Sequence, residues 1–203
     1  MTGSRLQRLH EALAADGLDS LIVQGEANLR YLTGYTGSNG LALVRADGGD
    51  RFFTDFRYAS QIAEELDPAF DTEIASGNEL VDSLAARLEG GRVGFDDTTT
   101  TVRRRAKLGE LAGARVEFVA AAGLVEELRA VKDEAEIASI AASAALTDSI
   151  YAWLFERGLG GRTERALAVE LEHEMRLRGA TGPSSSRRAA SRCRRSRACR
   201  ARP

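Results

Sequence analysis

The stretch GLALVRADGGDRFFTD, residues 40–55, decides the fold class of this chain. It contains two apolar runs, GLALVRA and RFFTD, on either side of the turn residues Asp47, Gly48 and Gly49. Short apolar runs joined by an Asp-Gly turn are typical of two antiparallel strands. The stretch therefore predicts a β-hairpin.

The segments around the hairpin alternate between short apolar runs and helical patterns. Further strands are predicted at residues 19–24, 71–76, 91–96 and 114–120. Helices are predicted at residues 4–15, 56–66, 79–88 and 101–112. Leu6, Leu9 and Leu13 share one face of the first helix. Strands alternating with helices form layered α/β domains, and the hairpin makes the predicted sheet mixed.

After about residue 130 the pattern changes to helices alone. Residues 133–157 and 163–178 predict two helices with no strand between them, and Thr163 is suited to cap the second. We place a domain boundary within residues 125–132. Because no covering sheet follows, we expect an exposed apolar stripe on these helices. Its members are Ile137, Ile140, Trp153, Leu154, Leu167 and Leu171.

Composition narrows the class of protein. The chain has 203 residues, of which 43% are hydrophobic, so it can bury a core. The amino terminus lacks a signal-peptide core, and no apolar run approaches the roughly 20 residues that span a bilayer. We expect a cytoplasmic protein with no membrane contact. Both cysteines, Cys193 and Cys199, lie near the carboxyl end, so the body of the chain has no cysteine chemistry.

The last 20 residues, 184–203, differ in composition from the rest. They contain eight arginines and no acidic residue, so the remainder of the chain is net acidic. This tail has no apolar periodicity and is predicted to be disordered, with weak and nonspecific anion binding as one possible role. Arg, Ala, Ser and Cys are common products of GC-rich codons read out of frame. A frameshift is therefore favoured over an evolved basic tail.

Four stretches together resemble the creatinase, prolidase and Xaa-Pro aminopeptidase family of metallopeptidases. They are NLRYLTGYTGSNG (28–40), FFTDFRYASQ (52–61), LVEELRAVKDEAEI (124–137) and GRTERALAVELEHEMRLRGATGPS (161–184). The resemblance implies a creatinase-type N-terminal α/β domain at residues 1–128. It also implies the truncated start of a pita-bread catalytic domain at residues 129–183, before the tail at 184–203.

In that family two aspartates, one histidine and two glutamates hold two divalent metals, Mn, Co or Zn, and the intact enzymes hydrolyse the peptide bond before proline. Here the sequence departs from the family pattern after residue 184, so no residue matches a catalytic or metal position. The resemblance therefore implies an inactive chain whose partners are a second copy or the missing catalytic domain. The alternative is a non-catalytic dimerisation or binding module with a basic tail for anionic partners.

Six residues are candidates for a substrate entrance or an interface. The resemblance places Tyr31, Tyr35 and Ser38 in or beside a loop near the active-site entrance. The loop glycines at 34, 37 and 40 do not follow a strand as a dinucleotide-binding turn requires, so turn chemistry is favoured over a phosphate site. The other candidates are Asp55, Arg57 and Tyr58 at a strand end, where Asp55 could cap a helix and Arg57 could form an ion pair. A structural role is favoured for these three.

Two histidines complete the candidates. Glu170, His173 and Glu174 have the spacing of a Glu-x-x-His metal motif on one helix face, although a solvated face is favoured. His10 lies among charged residues of the first helix and is predicted to be a surface histidine.

Overall fold

The computed structural model describes residues 2–75 and 80–181, with side chains from Arg5 onward. The elements of the first unit begin with α1 (Thr2–Ala15), β1 (Ser20–Val23), α2 (Glu26–Thr33), β2 (Leu41–Arg45), β3 (Arg51–Asp55), a 3₁₀ turn (Phe56–Tyr58), α3 (Ala59–Glu65) and β4 (Asp71–Ala75). They continue with α4 (Leu80–Ala86), β5 (Gly91–Phe95), α5 (Val102–Ala112), a 3₁₀ turn (Gly113–Arg115), β6 (Val116–Ala120) and α6 (Leu124–Ala130). The second unit has α7 (Glu134–Arg157) and α8 (Glu164–Leu177).

The six strands form one mixed sheet in the order β4-β3-β2-β1-β5-β6. β2 and β3 pair antiparallel with Ala42 opposite Phe52, which confirms the predicted hairpin. β1 pairs antiparallel with β2 and parallel with β5, while β3–β4 and β5–β6 are parallel. β2 therefore runs against the other five strands. The predicted α/β fold with a mixed sheet flanked by helices is confirmed.

The core lies on both faces of this sheet. Successive strand residues point to opposite faces, so Phe52 joins the cluster on one face and Phe53 joins the cluster on the other. The first cluster includes Leu6, Leu9 and Leu13 of α1, all buried, as the amphipathic pattern predicted. The second cluster contains residues of α4 and α5 packed on the opposite face. Short apolar strands are buried on both sides because helices cover both faces.

The chain divides into two compact units after Val131. In the second unit, Asp133 and Glu136 form a capping box at the start of α7. The Thr163 side chain accepts a hydrogen bond from the Ala166 amide and caps α8. The two predicted helices are confirmed. The predicted disorder of residues 184–203, and with it the anion-binding tail, lies outside the described residues.

α7 is a long and apolar helix. By length and composition α7 could cross a membrane, with a mean hydropathy of 1.3, and 6% of that segment is buried. The sequence prediction concerned continuous apolar runs, and polar residues such as Ser143, Thr147 and Asp148 interrupt α7, whose many alanines raise its mean hydropathy. One such helix is weak evidence for a membrane span.

The predicted stripe on α7 and α8 is exposed in part. Ile137 and Ile140 are each 55% exposed, whereas Trp153, Leu154, Leu167 and Leu171 are only half-buried or partly covered. Five other large apolar side chains of this unit are also exposed: Tyr151, Phe155, Leu159, Val169 and Leu177. The second unit therefore presents apolar surface that includes two of the six predicted residues, Ile137 and Ile140, together with residues that were not predicted.

Candidate functional site

One end of the sheet collects polar side chains. The carboxyl ends of β1, β3 and β5 meet there with the start of β2, because β2 alone runs in the opposite direction. Asp55 ends β3, and Asn39 lies just before β2. Carboxyl ends of strands are where ligands bind in open α/β sheets. This end of the sheet, with the loop at residues 34–40, is the candidate site.

Asp55 is a buried carboxylate held by four hydrogen bonds. It is 1% exposed and accepts hydrogen bonds from the Arg57 amide at 3.0 Å, Arg57 Nε at 2.9 Å, Arg57 Nη2 at 2.8 Å and Asn39 Nδ2 at 2.6 Å. The guanidinium of Arg57 holds the pKa of Asp55 well below its usual range, and Asp55 raises the pKa of Arg57. Asp55 also caps the 3₁₀ turn. Its oxygens are committed to these donors, so the group is a fixed anion and not a proton carrier.

Three further candidates lie beside Asp55. The hydroxyls of Ser38 and Tyr58 share a hydrogen bond of 2.8 Å, and the Tyr35 hydroxyl donates to the Asn39 carbonyl oxygen at 3.1 Å. The Tyr35 ring packs edge-on against Phe52 and Tyr58, with centroids 4.9 and 5.9 Å away. Burial raises the pKa of Tyr35. Tyr35 supports the loop from inside, whereas Ser38 is exposed on its surface.

The loop glycines are explained by close packing. Gly34 is left-handed with φ +78°, and a Cβ there would lie 2.9 Å from the Glu65 carbonyl oxygen. A Cβ at Gly37 would overlap the Tyr35 hydroxyl. Glu65 accepts hydrogen bonds from the amide and hydroxyl of Thr36, and the pKa of Glu65 is lowered by these bonds. The glycines therefore let the loop approach α3 and Tyr35, which supports turn chemistry over a phosphate cradle.

Tyr31 has different surroundings from the other five candidates. It is buried in α2, and its hydroxyl accepts from Arg8 Nη2 and donates to the Leu128 carbonyl oxygen, both at 3.1 Å. The Arg5 guanidinium lies 4.4 Å from the centre of its ring. The structure thus brings together Tyr35, Ser38, Asp55, Arg57 and Tyr58, whereas Tyr31 joins α1, α2 and α6.

A second polar group at the same end of the sheet was not predicted. Gln24 follows β1, is 5% exposed, and donates through Nε2 to Thr99 Oγ1 at 2.9 Å. Thr99 donates in turn to Asp96, which follows β5. Burial acts to raise the pKa of Asp96, but hydrogen bonds from Thr98 and Thr99 lower it overall. The signal was present in the sequence, because Gln24 and Asp96 are polar residues that end apolar strands.

His10 is paired, which corrects the prediction of a plain surface histidine. Its Nε2 lies 2.9 Å from Oδ2 of Asp50, and Asp50 is 3% exposed. Asp50 also accepts from the Arg45 amide at 2.8 Å. The partner comes from the hairpin turn, forty residues along the chain, so local sequence could not indicate it.

The residues present do not fit the two divalent metals that the family resemblance implies. Among residues 2–75 and 80–181, no group of three or more His, Cys, Asp or Glu side chains could hold a metal ion. Within the Glu-x-x-His pattern of α8, Glu170 pairs with Arg157 and Arg162, and Glu174 pairs with Arg178. These carboxylates already have cationic partners, as expected for a solvated helix face.

The fold and the site define an α/β domain with a mixed sheet and a polar end. Residues 5–131 match the model of the Creatinase/Prolidase N-terminal domain, and the chain belongs to this family. The resemblance inferred from the sequence is confirmed.

Similar proteins give the extent of the match. The chain is 32% identical over 183 residues to the uncharacterized peptidase YqhT of Bacillus subtilis, covering 89% of this chain and 51% of YqhT. Its structure is similar to the Xaa-Pro dipeptidase from Bacillus anthracis, with a TM-score of 0.80, 26% identity, and coverage of 90% of this chain and 51% of the dipeptidase. The chain spans about half the length of each.

A shorter solved structure matches the first unit. The N-terminal domain of the cytoplasmic peptidase PepQ from Mycobacterium tuberculosis H37Rv is 35% identical, with a TM-score of 0.57. The match covers 62% of this chain and 98% of the PepQ domain.

Proposed function

We propose that this chain is the amino-terminal, non-catalytic part of a dinuclear metallopeptidase that hydrolyses the peptide bond before proline. The observation that carries the proposal is the extent of the family match. Residues 5–131 match a domain defined as N-terminal, and the chain spans 51% of a dipeptidase with a TM-score of 0.80. In this proposal residues 1–128 are the N-terminal domain and residues 129–183 begin the catalytic domain.

The chemistry of hydrolysis belongs to the rest of such an enzyme. Two divalent ions, Mn, Co or Zn, would lower the pKa of a bridging water and polarise the scissile carbonyl. In the described part of this chain, the Asp55 carboxylate is bonded to Arg57, and carboxylates on α8 are paired with arginines. The chain itself is proposed to be inactive.

The domain would act by shaping the approach to the catalytic centre. Ser38 is exposed and Arg57 is 63% exposed, so these two side chains can contact a peptide or a neighbouring domain. Asp55 fixes the guanidinium of Arg57, and Tyr58 fixes the hydroxyl of Ser38. Tyr35 supports them from below. We assign this group to a substrate entrance or an interface, with proline-containing peptides as the substrate class.

A peptide assay tests the division of labour. The purified chain is incubated with Ala-Pro-Phe and Ala-Pro in the presence of Mn²⁺, Co²⁺ or Zn²⁺, with the intact dipeptidase from Bacillus anthracis as positive control. We expect no product from this chain under conditions in which the control turns over. Hydrolysis that depends on metal and is abolished by EDTA would contradict the proposed inactivity.

A domain exchange tests the positive half of the proposal. Residues 1–131 replace the matching domain of the dipeptidase, and the hybrid is assayed on Ala-Pro. We expect a folded, active hybrid, whereas Arg57→Ala in the hybrid should raise the KM. The control is Arg103→Ala, which changes an exposed arginine on α5. A hybrid that folds but never turns over would contradict the proposed role.

The proposed location is cytoplasmic, which the match to a domain of the cytoplasmic peptidase PepQ supports. The proposed partners are a second copy of the chain or the missing catalytic domain. Both would cover apolar surface that the second unit exposes.

That surface favours a second candidate function, a dimerisation or binding module. Phe155 is 73% exposed and Tyr151 is 56% exposed on α7. Large exposed apolar patches mark association sites. Light scattering coupled to size exclusion tests this candidate, and Phe155→Ser should shift the chain toward monomer. A chain that is monomeric and binds no hydrophobic dye would rule it out.

A further inference from the structure

A cleft at the polar end of the sheet lies between the loop and the start of α5. It has a volume of about 490 Å³ and is lined by Gln24, Glu26, Ser38, Asn39, Thr99 and Arg104, together with Leu29 and loop glycines. This volume is within the usual range for small-molecule sites. The cleft lies over the boundary between β1 and β5. From β1 the chain continues to β2 on one side of this boundary, and it later crosses back from β4 to β5 on the other side. Such switch points are where open α/β sheets bind ligands.

Arg104 is held in this cleft by a neutral partner. Gln24 is nine-tenths buried, and its amide nitrogen donates to Thr99 and Thr100. Those bonds aim Gln24 Oε1 at Arg104, whose Nη1 donates to it at 2.5 Å. Thr99 is in turn fixed by Asp96 at 2.6 Å. The guanidinium is therefore positioned by Gln24, which is itself held by Thr99, Thr100 and, through Thr99, Asp96. The bond to Gln24 leaves the positive charge uncompensated because the amide is neutral.

Two opposite charges in the cleft lack ionic partners. Within the part of the chain that the structure describes, no carboxylate lies within salt-bridge distance of Arg104. Glu26, on the first turn of α2, is exposed and likewise makes no ion pair there. By contrast, Arg45, Arg57 and Arg87 on the same domain each pair with a carboxylate. A preorganised cation and a separate anion in one cleft match a ligand that carries both charges.

We propose that this cleft binds a free amino acid or short peptide, with the ligand carboxylate on Arg104 and its ammonium group on Glu26. A guanidinium forms paired hydrogen bonds with a carboxylate, and Arg104 still has donors to offer because one nitrogen serves Gln24. The Ser38 hydroxyl lines the same cleft and can bond the backbone of a peptide. The ligand class is inferred from the charges of the cleft, and only the choice of a proline dipeptide as the probe rests on the proposed function.

Binding is measured by NMR titration of the full chain with the dipeptide Ala-Pro. We expect saturable shifts of the backbone amides at residues 37–40 and 99–104. N-acetyl-Ala-Pro lacks the ammonium group and Ala-Pro-amide lacks the carboxylate, so each should bind more weakly. Gly-Gly should also bind, because both charges are present. Shifts that map elsewhere, or an absence of saturation, would overturn the proposal.

Matched variants assign the two charges. Arg104→Gln should weaken Ala-Pro binding about tenfold, the effect of losing one charge-assisted interaction. Its control, Arg103→Gln, changes an exposed arginine one residue earlier and should leave binding within about twofold. Glu26→Gln should weaken Ala-Pro but not N-acetyl-Ala-Pro, and Glu64→Gln is its control. Equal binding by Arg104→Gln and the parent chain would overturn the proposal.

Two checks separate this inference from other failures. Arg104→Lys keeps the charge but loses the planar fork of the guanidinium, so its affinity for Ala-Pro should lie between those of the parent chain and Arg104→Gln. A dispersed NMR spectrum shows that each variant is folded. The readout is binding and not turnover, so failure of the peptidase assay would leave the cleft titration unaffected. A cleft that binds no dipeptide would leave the proposed peptidase role intact.

Discussion

A buried carboxylate normally resists ionisation, yet Asp55 stays charged because four donor atoms surround it at 2.6–3.0 Å. All of them come from Arg57 and Asn39. The loop before β2 and the turn after β3 are therefore tied through one side chain. At the scale of single residues, this anion and the left-handed Gly34 hold the shape of the loop.

Replacing Asp55 with Asn should destabilise the domain in a way that depends on pH. The folded-state pKa of Asp55 is below the value of about 3.9 for an unfolded Asp, so its contribution is present above about pH 4 and is lost as pH falls further. In thermal unfolding followed by circular dichroism, we expect Asp55→Asn to lower the Tm by several degrees at pH 7. The difference from the parent chain should shrink below pH 4.

The control for this change is Asp97→Asn, which removes an exposed carboxylate on the same end of the sheet. Its Tm should stay close to that of the parent at both pH values. A difference for Asp55→Asn that is the same at pH 3 and pH 7 would contradict the assigned ionisation.

Gly34→Ala and Gly48→Ala separate backbone strain from steric contact. Both glycines have positive φ, +78° and +89°, but only Gly34 would place a Cβ against backbone, 2.9 Å from the Glu65 oxygen. Gly48→Ala should cost about 1–2 kcal/mol of unfolding free energy, the left-handed penalty alone. Gly34→Ala should cost more, because Glu65 and Thr36 must also move. Equal losses in urea denaturation would show that the contact is relieved without cost.

At the scale of elements, α6 is held to α2 by polar contacts that the sequence pattern does not show. Asn28 donates to Glu126 at 2.6 Å and accepts from Arg129 at 2.8 Å. The Tyr31 hydroxyl donates to the Leu128 carbonyl oxygen. Val125 of α6 is buried in the same cluster as Leu29 of α2. Together these contacts dock the last helix of the first unit on the domain.

Tyr31→Phe should loosen α6 without disrupting the core. The ring remains, but the hydroxyl and its hydrogen bonds with Leu128 and Arg8 are removed. The free energy of unfolding should fall by about 0.5–1.5 kcal/mol. Hydrogen exchange should show lower protection in residues 124–130 than in the parent. The control is Tyr151→Phe, since Tyr151 is 56% exposed on α7. Unchanged exchange in α6 would mean that Tyr31 contributes only its ring.

At the scale of the whole molecule, the first unit has the contacts of an independent domain. Both of its core clusters are formed by residues between Leu6 and Val125, and the family match ends at residue 131. A solved PepQ domain is matched over 98% of its own length by this part of the chain. We therefore expect the unit to be stable when separated from α7 and α8.

A chain that ends at Val131 should unfold cooperatively, with a Tm within a few degrees of the first transition of the full chain. It should also bind less hydrophobic dye, because the exposed side chains of α7 and α8, such as Phe155, are absent. Differential scanning calorimetry and dye fluorescence measure both effects. Loss of cooperative unfolding would show that the second unit is needed for the fold.

Local patterns in the sequence were sufficient for the elements but not for their arrangement. The hairpin and the face of α1 followed from short-range periodicity, which the burial of Phe52 and Leu9 reflects. The position of β1 between β2 and β5 could not be predicted, since it depends on pairing across distant segments such as Ser20 with Val93. The cleft at Arg104 was missed for the same reason, because Gln24 and Thr99 meet only in the folded chain.

The position of β1 also affects how the protein emerges from the ribosome. β1 to β4 are neighbours in the sheet and are synthesised in one continuous run, so they can associate early. One edge of β1 then stays unpaired until Gly91–Phe95 is made and crosses back to it. During that interval the nascent chain carries an apolar open edge in Leu21 and Ile22, which is the kind of surface that misassembles. Pairing of β5 covers that edge, so the interval in which the nascent chain is prone to misassembly ends once Gly91–Phe95 has been synthesised and has paired.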